Sequence, residues 1–517
     1  MGDAVSVPGG VHPGGGDGSQ LLRRIRRNGI GFFVGWLGIV VLLVGLGTQI
    51  HLDLRGLAVG AAAPTAREQA PPAARVTVPP ALVARLRALP APGPDEPPLL
   101  LTYHGIAPTP RSPFAIAPRR LQAELTLLHD AGYHSIGAAL FVAWLHGRAT
   151  LPRKAVLLTF DDGLAATWRY ADPILAALGF RAVNFLITGH IDRGSFYLTS
   201  EEIRRMAADG RWNFGAHTAH GHTHVSTGPG RPQEAFLVGR RWLPRRGRPE
   251  TDAEFAHRIR ADTRQSLRWF AVHKLPQPRL FAYPFSAATS ADRRATRISV
   301  GILSRTYAAR FLDDSRGGMT TAAQRHRGAF RRLDVLGTYS LGRFVSEVMA
   351  ATPIPPSVTQ PLAADLWTRD SGAGTIVVRR SGITLEPRDG RWLSAALAPT
   401  RTLAWSSYDI SARASLAGTA AAGIAVPGDG GAPVSVAVSR GWFEVRTGAG
   451  RTVVAQGQLH ARVEHWLRVS RSAGGVTIAV DAATVAVVPA GRALGGPSLF
   501  VDGTPGTRVQ FTQIRVR

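Results

Sequence analysis

Apolar strands that alternate with helices, and end in polar side chains, constrain the fold of residues 98–350 more than any other feature. The predicted strands are LLLTY (99–103), AVLLTF (155–160), AVNFLI (182–187), WNFGA (212–216) and LFAY (280–283). Amphipathic helices are predicted between them, two of which open with the capping boxes Thr199 to Glu202 and Thr251 to Glu254. Repeated βα units form a parallel sheet or barrel, with the chemistry at the carboxyl ends of the strands.

Polar residues that suit a metal site follow two of these strands. TFDDG places Asp161 and Asp162 at a strand end, although Asp-Gly is also common turn material. The loop AHTAHGHTH supplies four imidazoles, those of His217, His220, His222 and His224. One carboxylate with two imidazoles is a ligand set for Zn²⁺ or another divalent transition metal, and the second carboxylate is left as a general base. His104 in TYHG adds a further imidazole at a strand end.

The amino-terminal segment predicts a membrane anchor. Four arginines precede the apolar run IGFFVGWLGIVVLLVGLG, and no charged residue lies between Arg27 and Asp53. As a helix this run rises about 27 Å, close to the ~30 Å hydrocarbon core of a bilayer. We therefore predict a basic cytoplasmic tail over 1–28 and a transmembrane helix over 29–50, with a cleavable signal peptide as the alternative.

The predicted membrane topology limits the possible reasons for the high positive net charge. Lys and Arg total 61 against 35 Asp and Glu, which gives a net charge of +26. Such a charge suits nucleic acid, an anionic envelope or a bias in composition. A chain whose bulk lies outside the cytoplasm is not expected to bind DNA or RNA. The absence of Cys excludes a disulfide scaffold, a thiolate metal site and a Cys nucleophile.

Four of these segments resemble the polysaccharide deacetylase family. TFDDG, the HT…H segment, FAYPFS and LTYHGI carry the resemblance, which covers about residues 97–350 and is nearest to the poly-N-acetylglucosamine deacetylase branch. It implies an incomplete or distorted (β/α)7-type barrel and one divalent metal ion. Zn²⁺ is the first expectation, with Co, Ni, Mn or Fe as alternatives.

The resemblance implies a role for each matching polar residue. Asp161 corresponds to the catalytic base and His104 to the general acid. The corresponding metal ligands are Asp162, His217 and His222, with His220 and His224 as alternatives to His222. The five-residue spacing from His217 to His222 is the one found in the poly-N-acetylglucosamine branch.

The third motif departs from the family pattern at two positions. Ala282 stands where an Arg often orients the catalytic base, so that partner is missing or comes from elsewhere. Ser286 stands where Gly is usual. The resemblance places the oxyanion and acetyl pocket at Tyr283, Pro284, Phe285 and Leu333.

The barrel is expected to lie between two linkers and to be followed by a second domain. Residues 51–97 are rich in Ala and Pro, and 351–364 is a further linker. Short alternating strands with regular turn residues over 365–517 predict a β-sandwich, which resembles concanavalin-like jelly-roll modules and is a possible glycan-binding module. Its five Trp residues belong either to the core or, for one or two of them, to a sugar-stacking platform.

The resemblance implies a metal-dependent hydrolase that removes N-acetyl groups from a surface polysaccharide, with poly-N-acetylglucosamine as the first expectation. Chitin-type or peptidoglycan N-acetyl sugars are alternative substrates. A catalytically silent glycan-binding surface protein is the alternative class. The expected partners are a polysaccharide and the membrane, without nucleic acid. The expected location is the cell membrane, with a single span and a catalytic domain outside the cytoplasm.

Overall fold

The computed structural model describes residues 67–517, with gaps at 74–75, 90–95, 315–324, 364–365, 389–391, 400, 403–404, 429–431, 449–450 and 492. The predicted tail (1–28) and transmembrane helix (29–50) lie outside the described residues. Among the helices that are described, none has the length and apolar character to span a bilayer.

Seven parallel strands close into a barrel. They are β1 (Leu99–Tyr103), β2 (Ala155–Phe160), β3 (Ala182–Leu186), β4 (Trp212–Ala216), β5 (Leu280–Ala282), β6 (Ala309–Asp314) and β7 (Ala329–Asp334). Strand β1 pairs with β7 on one side and with β2 on the other, which closes the ring. Pairing is thinnest between β4 and β5, where Phe281 pairs with Ala216. The predicted seven-stranded barrel is confirmed, and the ring is complete but irregular.

Helices surround this barrel in the described part of the chain. They are α1 (Pro80–Arg87), α2 (Pro118–Asp130), α3 (Ala138–Leu145), α4 (Asp172–Leu178), α5 (Ser200–Ala208), α6 (Asp252–Val272), α7 (Arg293–Thr306) and α8 (Leu341–Ala351). Both predicted capping boxes form, at Thr199 and at Thr251, so the first-turn amide groups of α5 and α6 are satisfied.

The barrel strands are buried on both faces because side chains alternate between the barrel interior and the helix layer. Leu157, Phe185 and Phe311 belong to the interior cluster, together with aromatic residues of α3. Leu101 and Leu158 belong to the outer cluster, which packs against the helices. Charged side chains that occupy the interior at the carboxyl ends of strands are therefore enclosed by protein.

Residues 67–89 pack against the barrel, although the sequence predicted a linker over 51–97 with no more than a short helix over 82–89. Helix α1 buries Val83 in the outer apolar layer. The backbone and guanidinium of Arg67 donate to the Glu202 carboxylate at 2.9–3.1 Å. This part of the predicted linker is therefore attached along the barrel surface.

Residues 367–516 form two antiparallel sheets of seven strands each around one apolar core. The strands are β8 (Trp367–Ser371), β9 (Gly374–Arg379), β10 (Gly382–Pro387), β11 (Trp392–Leu397), β12 (Tyr408–Ser415), β13 (Ala421–Pro427), β14 (Pro433–Ser439), β15 (Trp442–Thr447), β16 (Thr452–Gln458), β17 (Glu464–Ser472), β18 (Gly475–Val480), β19 (Ala483–Val488), β20 (Ser498–Asp502) and β21 (Val509–Val516). The predicted antiparallel β architecture is confirmed.

The segment between barrel and sandwich is held by hydrogen bonds. Trp405 Nε1 donates to the Ile354 carbonyl at 2.7 Å, and Ile354 belongs to the sandwich core. Arg401 Nε donates to the Thr352 carbonyl at 2.9 Å. The predicted linker over 351–364 is thus anchored to the sandwich at its start.

Candidate active site

Asp161 follows β2 and is fully buried among charged groups. Arg332 on β7 forms a bidentate pair with it, Nη1 to Oδ1 at 2.7 Å and Nη2 to Oδ2 at 2.6 Å. Arg332 Nη1 also donates to Thr159 Oγ1 at 2.9 Å. Burial alone would raise the pKa of Asp161, but the Arg332 guanidinium together with His217 and His104 outweighs burial and holds that pKa below its ordinary value. Asp161 is therefore an ionised carboxylate in a fixed orientation.

Arg332 supplies the cation that position 282 lacks. It lies on the strand beside β1 and β6 and contacts Asp313 as well as Asp161. A guanidinium has five N–H donors in a planar fork, which suits simultaneous contact with two carboxylates. The orienting partner of Asp161 is thus present, but it comes from the last strand of the barrel rather than from the third motif.

Asp162, His217 and His222 converge next to this pair. Nε2 of His217 and Nε2 of His222 each lie 3.4 Å from Asp162 Oδ1. His217 Nδ1 lies 2.9 Å from the Ala282 carbonyl, to which its N–H donates. This hydrogen bond fixes the ring with Nε2 facing Asp162, as in histidines that bind metals. Asp162 itself has φ of 74°, a conformation uncommon outside glycine and frequent at functional sites.

These three residues fit a divalent metal ion. Asp162 Oδ1 is buried and has no hydrogen-bond donor among the described residues. Burial lowers the pKa of His222 to about 4, so its imidazole is neutral at neutral pH and offers a lone pair. The three ligand atoms lie within 4.8 Å of one another. Two imidazoles with a carboxylate suit Zn²⁺ and its neighbours in the first transition row, and a cation held among them would satisfy the buried Asp162 Oδ1.

The structure does not bring the two alternative histidines into this cluster. His220 Nε2 contacts Gln265 Nε2 at 2.8 Å, while the backbone N–H of His220 donates to Asp262 at 2.7 Å. His224 packs against Phe285 with ring centroids 4.4 Å apart. The geometry therefore favours His222 over His220 and His224 as the third ligand.

His104 follows β1 and lies between two carboxylates on the other side of Asp161. Its Nδ1 is 3.4 Å from Asp334 Oδ1, and its Nε2 is 3.9 Å from Asp313 Oδ2. Burial alone would lower the pKa of His104, but Asp334, Asp161 and Asp313 raise it to about 10. His104 is therefore an imidazolium at neutral pH and can donate a proton.

In the turn after β5, one backbone N–H of the predicted oxyanion pocket is available to donate to a substrate oxygen. The Tyr283 N–H already donates to the Phe311 carbonyl at 2.9 Å, and Pro284 has no N–H. Tyr283 is also buried, with its ring 5.3 Å from that of Phe281. The candidate that remains is the N–H of Phe285, whose φ is 57°.

Ser286 stabilises this turn although it stands where the family has Gly. Its φ of 52° is in the left-handed region that favours glycine. The Asp313 N–H donates to Ser286 Oγ at 2.6 Å, and Ser286 Oγ donates to the Asp313 carbonyl at 3.0 Å. These two bonds offset the backbone strain and tie the turn to the end of β6.

Leu333 lies on the wrong face of β7 for the predicted acetyl pocket. It is buried in the outer apolar layer and is in register with Leu101 of β1. Since alternate residues of a strand point to opposite faces, Arg332 and Asp334 point to the interior while Leu333 points away from it. The residues of this strand that reach the site are the two charged ones.

Comparison with known proteins agrees with this arrangement. Residues 148–299 match the family model for polysaccharide deacetylases. The barrel is a polysaccharide deacetylase domain. The matched span contains Asp161, Asp162, His217, His222 and the turn at Phe285, whereas His104 and Arg332 lie outside it. The resemblance drawn from the sequence motifs is confirmed, and the barrel belongs to a family of enzymes.

Related proteins match parts of the chain. The poly-beta-1,6-N-acetyl-D-glucosamine N-deacetylase of Escherichia coli K12 is 25% identical over 182 residues, which is 32% of this chain and 27% of that protein. A protein of the same name from Staphylococcus aureus MSSA476 is 25% identical over 111 residues, 20% of this chain and 37% of that protein. The chain therefore spans about a quarter to two fifths of these relatives.

A solved structure resembles about half of the chain. A de-N-acetylase from Aggregatibacter actinomycetemcomitans superposes with a TM-score of 0.42 at 20% identity, covering 48% of this chain and 98% of that one.

Proposed function

We propose that this protein is a metal-dependent N-deacetylase of a surface polysaccharide, with poly-β-1,6-N-acetylglucosamine as its substrate. The observation that carries the proposal is the placement of an ionised, Arg332-held Asp161 between a metal-binding triad and a protonated His104. The substrate is inferred from the names of the relatives. The proposed location is the outer side of the cell membrane, with the apolar run of 29–50 as the anchor.

The metal would be held by Asp162, His217 and His222, with Zn²⁺ as the first choice. Such an ion polarises an amide carbonyl and lowers the pKa of water beside it. The remaining chemistry belongs to side chains and backbone. Asp161 accepts the proton of the attacking water, and Arg332 keeps its carboxylate oriented and ionised throughout. The N–H of Phe285 would donate to the oxygen on which negative charge develops.

His104 would complete the reaction by protonating the departing amine. An amine anion is a poor leaving group, so the C–N bond breaks only when nitrogen receives a proton. The Asp334 and Asp313 carboxylates keep His104 protonated and orient its ring. A base and an acid on opposite sides of the reacting carbon make a covalent intermediate unnecessary.

The test is acetate release by the full-length protein in detergent from defined N-acetylglucosamine oligomers. Release from β-1,6-linked oligomers that stops with a chelator and returns with Zn²⁺ would support the proposal. Release from β-1,4-linked oligomers alone would move the substrate to chitin-type or peptidoglycan sugars. Saturable binding without release would favour a catalytically silent glycan-binding protein.

A further inference from the structure

Three phenylalanines of the barrel are exposed, and two of them contact histidines of the candidate active site. Phe114 is 40% exposed, Phe196 52% and Phe285 47%. No other Phe in the described part of the chain is among the exposed large apolar residues. Single exposed apolar side chains are common on proteins, but exposed aromatic rings on several loops at one edge of the barrel indicate a binding surface.

Phe114 and Phe285 contact different parts of the site. Phe114 meets the ring of His104, the proposed acid, at 5.7 Å. Phe285 lies on the opposite side, 4.4 Å from the ring of the proposed ligand His222. The two rings therefore mark the acid side and the metal side of Asp161.

Phe196 belongs to a third loop at the same edge of the barrel. The Phe196 carbonyl accepts the N–H of Ala165, three residues after the proposed ligand Asp162. Its ring is 5.1 Å from that of Tyr197. The Arg67 guanidinium donates to the Tyr197 carbonyl at 2.6 Å and so fixes this loop from outside.

We propose that Phe114, Phe196 and Phe285 form an aromatic rim that binds consecutive hexopyranose residues of a glycan on both sides of the reacting sugar. The apolar C–H face of a pyranose ring packs on an aromatic face, while its hydroxyls stay in water at such exposed positions. The rim therefore fits a chain of several sugars, whereas a single N-acetylated sugar would occupy the centre alone. This inference rests on the proposed function, and it adds that the site binds several consecutive sugar residues of the glycan.

The experiment measures binding without turnover. The full-length chain with Asp161→Asn is titrated with N-acetylglucosamine and with its β-1,6- and β-1,4-linked dimers and tetramers. We expect affinity to rise from monomer to tetramer for at least one linkage. Phe114→Leu and Phe196→Leu should each weaken tetramer binding about 3- to 10-fold, because a leucine keeps apolar volume but lacks a ring face.

The conservative variants separate ring stacking from apolar contact. Phe114→Trp and Phe196→Trp should bind the tetramer as well as the parent. Val272→Ala removes an exposed apolar residue at the end of α6 and should change nothing. Variants of Phe285 are not used, because its backbone belongs to the proposed oxyanion turn. If Asp161→Asn does not fold, the KM values of the otherwise unmodified chain for dimer and tetramer give the same comparison.

The outcomes distinguish the rim from the proposed function. Equal affinity of the Leu variants and the parent, or equal affinity for monomer and tetramer, would overturn the rim even if acetate is released normally. Length-dependent affinity that the Leu variants lose and the Trp variants keep would support it. Absence of acetate release from every oligomer by the unmodified chain would instead overturn the proposed function.

Discussion

Both the barrel and the sandwich enclose an apolar core, but they place charged side chains differently. In the described part of the chain, two groups of three side chains could hold a metal ion, and both lie in the barrel. One is Asp162 with His217 and His222, and the other is His104 with Asp161 and Asp313. The sandwich pairs His465 with Asp481 at 2.8 Å, and no further acidic or imidazole group joins them in a metal-binding group among the residues described there. In a parallel barrel every strand ends at the same rim, so the residues after several strands meet. Antiparallel strands end alternately at opposite edges, and their terminal residues are dispersed.

The largest expected effect comes from the two adjacent carboxylates. Asp161→Asn should keep the metal and lower kcat about 10²- to 10⁴-fold, because it removes the proposed base but no proposed ligand. Asp162→Ala should lose both metal and activity. Metal content by elemental analysis and acetate release from an oligomer measure the two effects. Glu386→Gln on the sandwich is the control and should match the parent in both.

Near-parent kcat in Asp161→Asn would show that the base lies elsewhere. Retained stoichiometric metal in Asp162→Ala would remove Asp162 from the ligand set. Either result would also weaken the contrast between the two regions, since it would leave a buried carboxylate of the barrel without a chemical role.

The next effect is expected at Arg332. Arg332→Gln should lower the free energy of unfolding by about 3–5 kcal/mol, because it leaves Asp161 buried without its counter-charge. Arg332→Lys should be less destabilised but still impaired in kcat, because an ammonium cannot make the bidentate contact. Denaturant unfolding and acetate release measure both variants. The exposed pair of Arg508 with Glu386 on the sandwich provides the control, since Arg508→Gln should cost no more than about 1 kcal/mol.

A third effect distinguishes the histidines of one loop. His222→Ala should weaken Zn²⁺ affinity by more than about 100-fold, because loss of an outer partner alone costs about 10- to 100-fold. His220→Ala and His224→Ala should each cost less than about 10-fold. Competition with a chromophoric chelator gives the three affinities. A larger loss in either control variant would transfer the ligand role to that histidine.

The sequence predicts the parts of the site whose signals are local. Asp161, Asp162 and His217 directly follow apolar strands, so strand ends and motif spacing are enough to find them. The choice of His222 among four imidazoles required the family spacing, and the packing of His220 and His224 against other groups supports it.

Arg332 was missed because its partner is 171 residues away in the sequence. A signal was available in FRRLDV, where Arg332 and Asp334 occupy alternate positions of a buried strand. Two charged residues on the interior face of a barrel strand are costly unless they are paired. The prediction that Leu333 lines the acetyl pocket was wrong, because alternate residues of a strand point to opposite faces and Leu333 faces the helices.

The packed segment at 67–89 was missed because composition dominated its interpretation. Its Ala and Pro content is typical of a spacer, but the spacing of Val83 and Leu86 in α1 gives a helix with one apolar side. Only the barrel surface shows where that side is buried. Composition alone therefore misjudged a segment whose few apolar residues are regularly spaced.

A fourth prediction concerns the sandwich itself. Removal of residues after 360 should leave kcat/KM on a short oligomer unchanged and lower activity on long polymer about 10-fold or more, if the module raises the local concentration of polymer. The exposed Trp442 is the candidate platform within it, so Trp442→Ala in the full chain should show part of the loss. Trp405 is buried and hydrogen-bonded to Ile354, and therefore belongs to the core.

The truncated protein must first be shown to fold, because Arg401 of the sandwich contacts the Thr352 carbonyl. A thermal melt of the truncated and full-length chains provides that control. Loss of the barrel transition would indicate that the sandwich completes the fold. A folded truncation with full activity on polymer would exclude the targeting role.

The smallest effect on activity is expected at Glu124, a buried carboxyl group that lies outside the proposed machinery. It is on α2, with Oε2 3.3 Å from the Tyr103 hydroxyl, and burial raises its pKa from 4.5 to about 8. Because the folded-state pKa lies above the ordinary value, the folded chain binds a proton that the unfolded chain releases. The resulting stabilisation is fully present below about pH 4.5 and is lost as the pH rises through about 8.

Glu124→Gln should therefore flatten the fall of the unfolding free energy between these pH values, by at most about 5 kcal/mol, and leave kcat/KM at neutral pH close to that of the parent. Denaturant melts at several pH values and acetate release measure the two quantities. A pH dependence of stability equal to the parent's would mean that Glu124 is ionised in the folded chain. A large loss of kcat without loss of stability would mean that Glu124, in the helix layer, takes part in the reaction. Catalytic groups would then not be confined to the strand ends of the barrel.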